Sequence, residues 1–99
     1  MLLSKAHLYE EADQLTSFYA GAITHPARLR IIRTLRENGP RTVFEIAAEH
    51  PLSLSAVSQH LEILRERGIL EFKYHFPYLT YYLNYERYKE VRKLLLDFF

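Results

Sequence analysis

The chain has 99 residues, 48% of them hydrophobic, and a formal net charge of +1; this size and composition predict one folded domain over residues 1–99 and exclude a disordered chain. Because the chain contains no cysteine, it can form neither a disulfide nor a thiolate metal site. It has no apolar run long enough to span a membrane and no secretory signal pattern, so we expect a cytoplasmic protein that does not enter a membrane.

Two helices are predicted in the first forty residues. The first spans residues 4–20, because apolar residues recur there on one helical face before Gly21 interrupts the pattern. The second begins at Pro26, where a missing N–H costs nothing, and is stopped by Gly39. Both apolar faces are expected to pack inward. The inward residues are Leu8, Ala12, Leu15 and Tyr19 on the first helix and Leu29, Ile31, Ile32 and Leu35 on the second.

Two further helices follow, over residues 43–50 and 54–67. Thr42 and Glu45 form a capping box for the first of them, and Ser53 is placed to cap the second. The second helix has an apolar stripe on one side and a short, mostly uncharged polar face on the other. This pair is typical of a helix-turn-helix whose second helix enters the DNA major groove. The stripe is Val57, Leu61 and Leu64, and the polar face includes Ser55, Ser58 and Gln59.

Beyond Gly68 the apolar period changes from 3.6 to two, which predicts a half-buried strand and a β-hairpin turning at Pro77 and Tyr78. A hairpin directly after a recognition helix is a wing, and a last helix follows over residues 86–99. The fold class is therefore mainly α with a small β-hairpin, a winged helix-turn-helix in the order α-α-α-α-β-β-α. The alternating apolar residues of the first strand are Leu70, Phe72, Tyr74 and Phe76. Because a ribbon has two faces, not all of the wing's aromatic residues can be hidden, and an exposed aromatic wing has three possible roles: packing on sugar and phosphate, binding a partner protein, or lying against the last helix.

The segments THPARLRIIRTL and LSAVSQHLEILRERGIL, in this order, resemble the ArsR/SmtB family of winged-helix transcriptional repressors. The resemblance implies a homodimer that binds double-stranded DNA, with the recognition helix in the major groove and the wing on the flanking backbone or minor groove. Many members release DNA when a small effector binds, so an effector of unidentified kind is implied as a partner. Metal-sensing members carry Cys-x-Cys where this chain has Glu45, Ile46 and Ala47, so we expect no metal and no cofactor.

The candidate DNA-binding residues combine this resemblance with local chemistry. Gln59 stands out, because an amide can bind adenine through two hydrogen bonds. Arg41 and Thr42 lie at a helix N-terminus, which favours phosphate. For His60, two interpretations are equally good: a contact to DNA, or a partly buried side chain that orders the turn. The candidates are Arg41, Thr42, Ser53, Ser55, Ala56, Ser58, Gln59, His60, Lys73, His75 and Tyr78.

The last helix ends in an apolar segment over residues 94–99 that would form an exposed patch in a monomer. We therefore expect a two-fold dimer in which residues 1–20 and 86–99 supply the dimerisation helices. The helix-turn-helix then covers residues 42–67, and the wing covers residues 69–84. The candidate interface residues are Leu8, Ala12, Leu15, Tyr19, Tyr88, Val91, Leu95 and Phe98.

Charge distribution keeps two functions open. Residues 24–41 contain five arginines against one glutamate, and local basic charge can anchor phosphates. The leading hypothesis is therefore a homodimeric repressor that binds an inverted-repeat operator. Glu62, Glu66 and the aromatic wing favour the alternative, a protein-interaction module with little DNA affinity. An enzyme is not expected, because the sequence has no cysteine nucleophile, no glycine-rich phosphate loop and no catalytic carboxylate pair.

Overall fold

The computed structural model describes residues 9–99, and its helices and strands follow the predicted winged helix-turn-helix order with one additional strand. Leu8 and the start of the predicted first helix lie outside the described residues. The helices are α1 (Glu11–Ile23), α2 (Pro26–Asn38), α3 (Val43–Ala48), α4 (Leu54–Glu66) and α5 (Tyr85–Phe98). The strands are β1 (Arg41–Thr42), β2 (Leu70–His75) and β3 (Tyr78–Leu83).

The predicted helix caps are present. The Ser53 hydroxyl accepts a hydrogen bond from the backbone N–H of Ala56 at 3.1 Å and starts α4. At the start of α3, the Thr42 hydroxyl accepts from the N–H of Glu45, whose carboxylate accepts from the N–H of Thr42 at 2.9 Å. Each bond satisfies a backbone donor that the helix itself leaves unpaired. Local sequence therefore determines where both helices of the helix-turn-helix begin.

The turn between α4 and β2 requires glycine at position 68. Gly68 has a φ of +74°, a left-handed conformation that other residues adopt only with strain. A Cβ at this position would also lie 3.3 Å from the Arg87 guanidinium, which donates a hydrogen bond to the Tyr19 hydroxyl. This turn thus brings α4, α1 and α5 together at one point.

Two of the predicted helices differ from the structure by two residues or more at an end. Helix α1 begins at Glu11, since Tyr9 and Glu10 lie outside it. The helix continues through Gly21 and ends at Ile23. Ala22 is fully buried in the core, and this packing outweighs the roughly 1 kcal/mol that glycine costs inside a helix. Helix α3 ends at Ala48 rather than at residue 50.

The wing belongs to a three-stranded antiparallel sheet rather than to an isolated hairpin. Strand β1 pairs with β3, with Arg41 opposite Tyr81 and Thr42 opposite Thr80, so the strand order is β1-β3-β2. We did not predict β1. A two-residue strand is too short to show an alternating pattern.

The prediction of a half-buried β2 was wrong beyond its first residue. Leu70 is buried, but Phe72 is 42% exposed, Tyr74 61% and Phe76 84%. The apolar face of a strand is buried only where another layer of the protein packs on it. This end of the hairpin extends past the core, so no such layer within residues 9–99 covers it. Strand β3 contributes Tyr81 and Leu83 to the core, near the base of the wing.

The core holds α4 against α2 and the base of the sheet. On α2, Ile31, Ile32 and Leu35 are buried as predicted, whereas Leu29 is 49% exposed. Leu29 lines an open cleft of about 370 Å³ next to α5, so nothing in the described residues covers it. The core cluster consists of Tyr19, Ala22, Ile31, Ile32, Leu35, Ile46, Val57, Leu61, Leu64, Ile69, Leu70, Tyr81, Leu83 and Val91.

Two of the candidate dimer residues lie inside the protomer. Tyr19 and Val91 are buried in its own core, so a second protomer could contact little of either side chain. Their helical spacing indicated an apolar face correctly, but that face packs within the chain. Ala12, Leu15 and Phe98 are exposed, while Tyr88 and Leu95 are partly buried against the core.

Candidate nucleic-acid interface

Helix α4 buries one side and presents a polar face to solvent on the other. The predicted apolar stripe is confirmed, because Val57, Leu61 and Leu64 are all buried. Around the first two turns, Ser55, Ala56 and Ser58 are small, uncharged and at least partly accessible, so they leave room for the helix to approach an edge of base pairs. The exposed or partly exposed candidates on this helix are Ser55, Ala56, Ser58, Gln59 and His60.

Ser53 precedes this face and is exposed. Its oxygen is occupied as an acceptor by the helix cap, but a hydroxyl that accepts a hydrogen bond still has its own proton to donate. Ser53 can therefore cap α4 and donate to a phosphate oxygen at the same time.

A carboxylate on the outer side of α4 is paired with an arginine of the same helix. Arg65 Nε donates to the Glu62 carboxylate at 2.8 Å, and a guanidinium Nη makes a second contact. This bonding lowers the pKa of Glu62 and raises that of Arg65. The Arg65 guanidinium also lies over the Phe72 ring at 5.5 Å. The positive charge of Arg65 offsets the negative charge of Glu62, which weakens the argument that this carboxylate repels DNA. The ion pair could have been predicted from the sequence, because residues at i and i+3 are neighbours on a helix surface.

His60 packs against the start of α2. Its ring centroid lies 4.4 Å from that of His25, whose Nδ1 accepts from the N–H of Ala27. Within residues 9–99, His60 Nδ1 and Arg28 Nε are buried without a hydrogen-bond partner. Burial, together with the charges of His25 and Arg28, lowers the pKa of His60. These contacts support the interpretation that His60 orders the turn, and a neutral imidazole adds no positive charge for DNA.

The turn between α3 and α4 is held by two side chains, and sequence reasoning missed the role of one of them, Arg30. Arg30 on α2 donates to the carbonyl oxygen of Glu49, and His50 Nδ1 lies 2.6 Å from the carbonyl oxygen of Ile46. We had counted Arg30 within a basic segment, but here its guanidinium fixes the turn. Only the pairing of distant segments could reveal this role.

Arg36 is also engaged within the protein. It donates to the Tyr88 hydroxyl at 3.0 Å and lies 3.6 Å from the Glu37 carboxylate. The hydrogen bond to Tyr88, followed by the charges of Tyr88 and Glu37, raises the pKa of Arg36. The basic segment before the helix-turn-helix therefore serves partly to join α2 to its neighbours.

Arg41 and Thr42 lie at the entrance to the helix-turn-helix, on β1. The Thr42 hydroxyl is taken by the capping box, and the Glu45 carboxylate occupies the same helix N-terminus. Hydrogen bonds from the Thr42 N–H and hydroxyl lower the pKa of Glu45. A phosphate would compete with this carboxylate, which favours Arg41 over Thr42 as a phosphate contact. Arg41 is half-buried, and its guanidinium donates to the carbonyl oxygen of Pro40 at 2.8 Å.

On the wing, Lys73, His75 and Tyr78 are all exposed. The Lys73 ammonium lies 5.4 Å from the centroid of the Tyr82 ring. Because β1 and β2 both pair with β3, one sheet connects the wing candidates to Arg41. The structure thus brings the sequence-predicted residues together in two groups, one on α4 and one on this sheet.

Residues 9–99 lack two other kinds of functional feature, a metal-ligand cluster and a membrane-spanning helix. No three histidine, cysteine or acidic side chains of this part of the chain lie close enough to hold a metal ion. None of the helices described is sufficiently long and apolar to cross a membrane.

Comparison with known proteins gives a consistent picture. The family described as "Bacterial regulatory protein, arsR family" matches residues 25–71. An uncharacterized HTH-type transcriptional regulator of Methanocaldococcus jannaschii is 33% identical over 87 residues, which cover 88% of this chain and 93% of the relative.

Two solved structures extend this similarity to the fold. A possible transcriptional regulator for arsenical resistance has a TM-score of 0.76 at 31% identity, covering 81% of this chain and 82% of the other. The transcriptional repressor BigR from Xylella fastidiosa has a TM-score of 0.69 at 26% identity, covering 98% of both chains. The chain therefore belongs to the ArsR family of winged helix-turn-helix transcriptional regulators.

Proposed function

We propose that the chain is a homodimeric repressor that binds an inverted-repeat operator in double-stranded DNA. The observation that carries this proposal is the division of α4 into a fully buried stripe and an exposed face of Ser55, Ser58 and Gln59. Side chains of this size and chemistry suit hydrogen bonding to base edges in the major groove. Similarity to the repressor BigR supports repression as the mode of regulation.

We also propose a division of the chain into functional segments. Residues 42–67 form the helix-turn-helix, residues 69–84 form the wing, and residues 1–20 and 86–99 supply the dimer contacts. Repeated half-sites then lie about one helical turn apart, roughly 34 Å, since each protomer of a two-fold dimer presents one recognition helix. Such a protein would repress by occupying a promoter.

A second candidate function is docking to another protein. The exposed aromatic side chains of β2 favour it, because a large exposed apolar surface often marks an interaction site. A salt titration separates the two functions. Binding to DNA falls steeply with the logarithm of salt concentration, whereas an aromatic protein interface responds weakly.

The central experiment is selection of binding sites from random duplex DNA with the purified protein. We expect an enriched inverted repeat. The variant Gln59→Ala should then weaken binding by about 1–3 kcal/mol and relax the preference at one base pair in each half-site, because the amide no longer bonds to the base.

The matched control is Asn38→Ala, which removes a side-chain amide from an exposed position at the end of α2, outside the proposed DNA and dimer contacts. It should leave both affinity and base preference unchanged. Failure to enrich any sequence would overturn DNA recognition as the function. An enriched site whose base preference survives Gln59→Ala would show that Gln59 does not read a base.

A further inference from the structure

The tip of the wing presents an aromatic ring to solvent. Phe76 is 84% exposed, and its ring meets that of Tyr74 edge-on at a centroid distance of 6.5 Å. Neither ring belongs to the hydrophobic core. Exposed apolar side chains of this size are a feature of binding surfaces.

The hairpin holds this ring on a stiff support. Strands β2 and β3 pair along their full length, from Leu70 opposite Leu83 to His75 opposite Tyr78, and Phe76 and Pro77 alone form the turn. Because the two strands are paired up to the turn, the backbone of the hairpin is already ordered before it binds a partner. Such preorganisation lowers the entropic cost of inserting the ring into a partner.

The charge around the tip matches a nucleic acid. Residues 72–85 contain one lysine and one histidine and no aspartate or glutamate. Lys73 and His75 lie on β2 immediately before the turn and are both exposed. An exposed ring with basic neighbours and no carboxylate at the tip suits an apolar site bordered by phosphates; the nearest acidic residue in sequence, Glu71, lies toward the base of the wing.

We propose that Phe76 is a wedge that inserts between two base pairs from the minor groove, beside the bases contacted by α4. The inference rests on the proposed DNA-binding function and adds a deformation of the DNA to it. Apolar side chains inserted in this way unstack a base step and kink the duplex toward the major groove by about 20–90°. Lys73 and His75 contact the adjacent phosphates and hold the wing in place.

The wedge gives the protein specificity at a step where it makes no hydrogen bond. Pyrimidine–purine steps such as TA unstack most easily, so the energy of deformation depends on sequence. We expect the wild-type protein to bind an operator with TA at the flanking step about tenfold more tightly than one with a stiff step there. Phe76→Ala should reduce this ratio to about one.

The test uses the full chain and the enriched operator with 2-aminopurine placed at each flanking step in turn. This base fluoresces when it is unstacked, and energy transfer between dyes at the two ends of the duplex reports the bend. Wild-type protein should raise the fluorescence at one step in each half-site and shorten the end-to-end distance. Phe76→Ala should lose both signals, and Phe76→Leu, which keeps an apolar wedge, should retain most of them.

Tyr85→Ala is the control, since it removes an exposed aromatic ring at the start of α5, away from the wing tip. It should keep both signals. If Phe76→Ala retains the fluorescence and the bend while Gln59→Ala still impairs base preference, the wedge is wrong and DNA recognition by α4 stands. If the wild-type protein enriches no DNA, both proposals fail. If the wild-type protein instead binds another protein and Phe76→Ala does not, the ring is assigned to protein docking.

Discussion

His60 illustrates how the packing of one side chain determines its charge. It lies on the recognition helix, but its ring packs against His25, and Arg28 approaches from the same α2 side. Burial and the two neighbouring charges lower the pKa of His60 from its ordinary value of 6.5. The folded protein therefore favours the neutral imidazole.

This pKa makes the stability of the fold depend on pH. As the pH decreases through about 6.5, the unfolded chain gains a proton on residue 60 that the folded chain resists, so the free energy of unfolding should fall. His60→Gln should flatten this decline between pH 7.5 and pH 5, even if the variant is less stable throughout. Urea unfolding at a series of pH values measures the effect.

The control for this prediction is His75→Gln, which removes an imidazole from an exposed position on the wing; a flattening confined to His60→Gln assigns the decline to residue 60. Parallel profiles for the wild type and His60→Gln would contradict the prediction. They would mean that another titrating group, such as a carboxylate, accounts for the whole pH dependence.

At the scale of elements, prediction succeeded where the signal is local. The caps at Thr42 and Ser53 and the glycine stops at Gly39 and Gly68 each need only a few neighbouring residues, and they located α2, α3 and α4. Helical periodicity likewise placed Gln59 on the outer face of α4. This part of the candidate site followed from the sequence alone.

Features that depend on distant segments could not be predicted in the same way. Strand β1 exists because residues 41 and 42 meet β3, about forty residues later, and Arg30 holds a turn nineteen residues away. The alternation that identified β2 gives its conformation but does not show which side chains a covering layer buries. The sequence indicated that some aromatic residues of the wing are exposed, but it could not identify Tyr74 and Phe76 among them.

Strand β1 places Arg41 where the helix-turn-helix meets the sheet, and its charge should contribute to binding independently of sequence. Arg41→Ala should weaken binding to all DNA sequences similarly and reduce the slope of log affinity against log salt by about 0.9, the value for one phosphate contact. Fluorescence anisotropy at several salt concentrations, on operator and on unrelated DNA, measures both quantities.

Arg33→Ala provides the comparison of equal charge, because Arg33 is exposed on α2 and belongs to neither the proposed DNA contacts nor the proposed dimer contacts. It should leave the salt slope at the wild-type value. An unchanged slope for Arg41→Ala would remove Arg41 from the set of phosphate contacts, and equal reductions in both variants would indicate only an effect of net charge.

The whole protomer leaves apolar side chains exposed on both terminal helices. Leu15 and Phe18 are exposed on α1, and Leu96, Phe98 and Phe99 are exposed at the end of α5. Helix α1 carries Glu11 and Asp13 and no basic residue, whereas α5 carries four basic residues against three acidic ones. Pairing α1 of one protomer with α5 of another would bury the apolar residues and bring opposite charges together.

This arrangement predicts a dimer that depends on the end of α5. Leu96→Glu should yield a monomer at micromolar concentration in light scattering, because burying an unpaired carboxylate costs several kcal/mol, on the order of a full desolvation penalty.

The same substitution at Leu54, which is exposed at the start of α4, should preserve the dimer while impairing DNA binding. The Leu96→Glu monomer should bind a single half-site only weakly, since it loses the second recognition helix. A wild-type monomer at micromolar concentration, or a Leu96→Glu protein that remains dimeric, would contradict this assignment of the dimer interface.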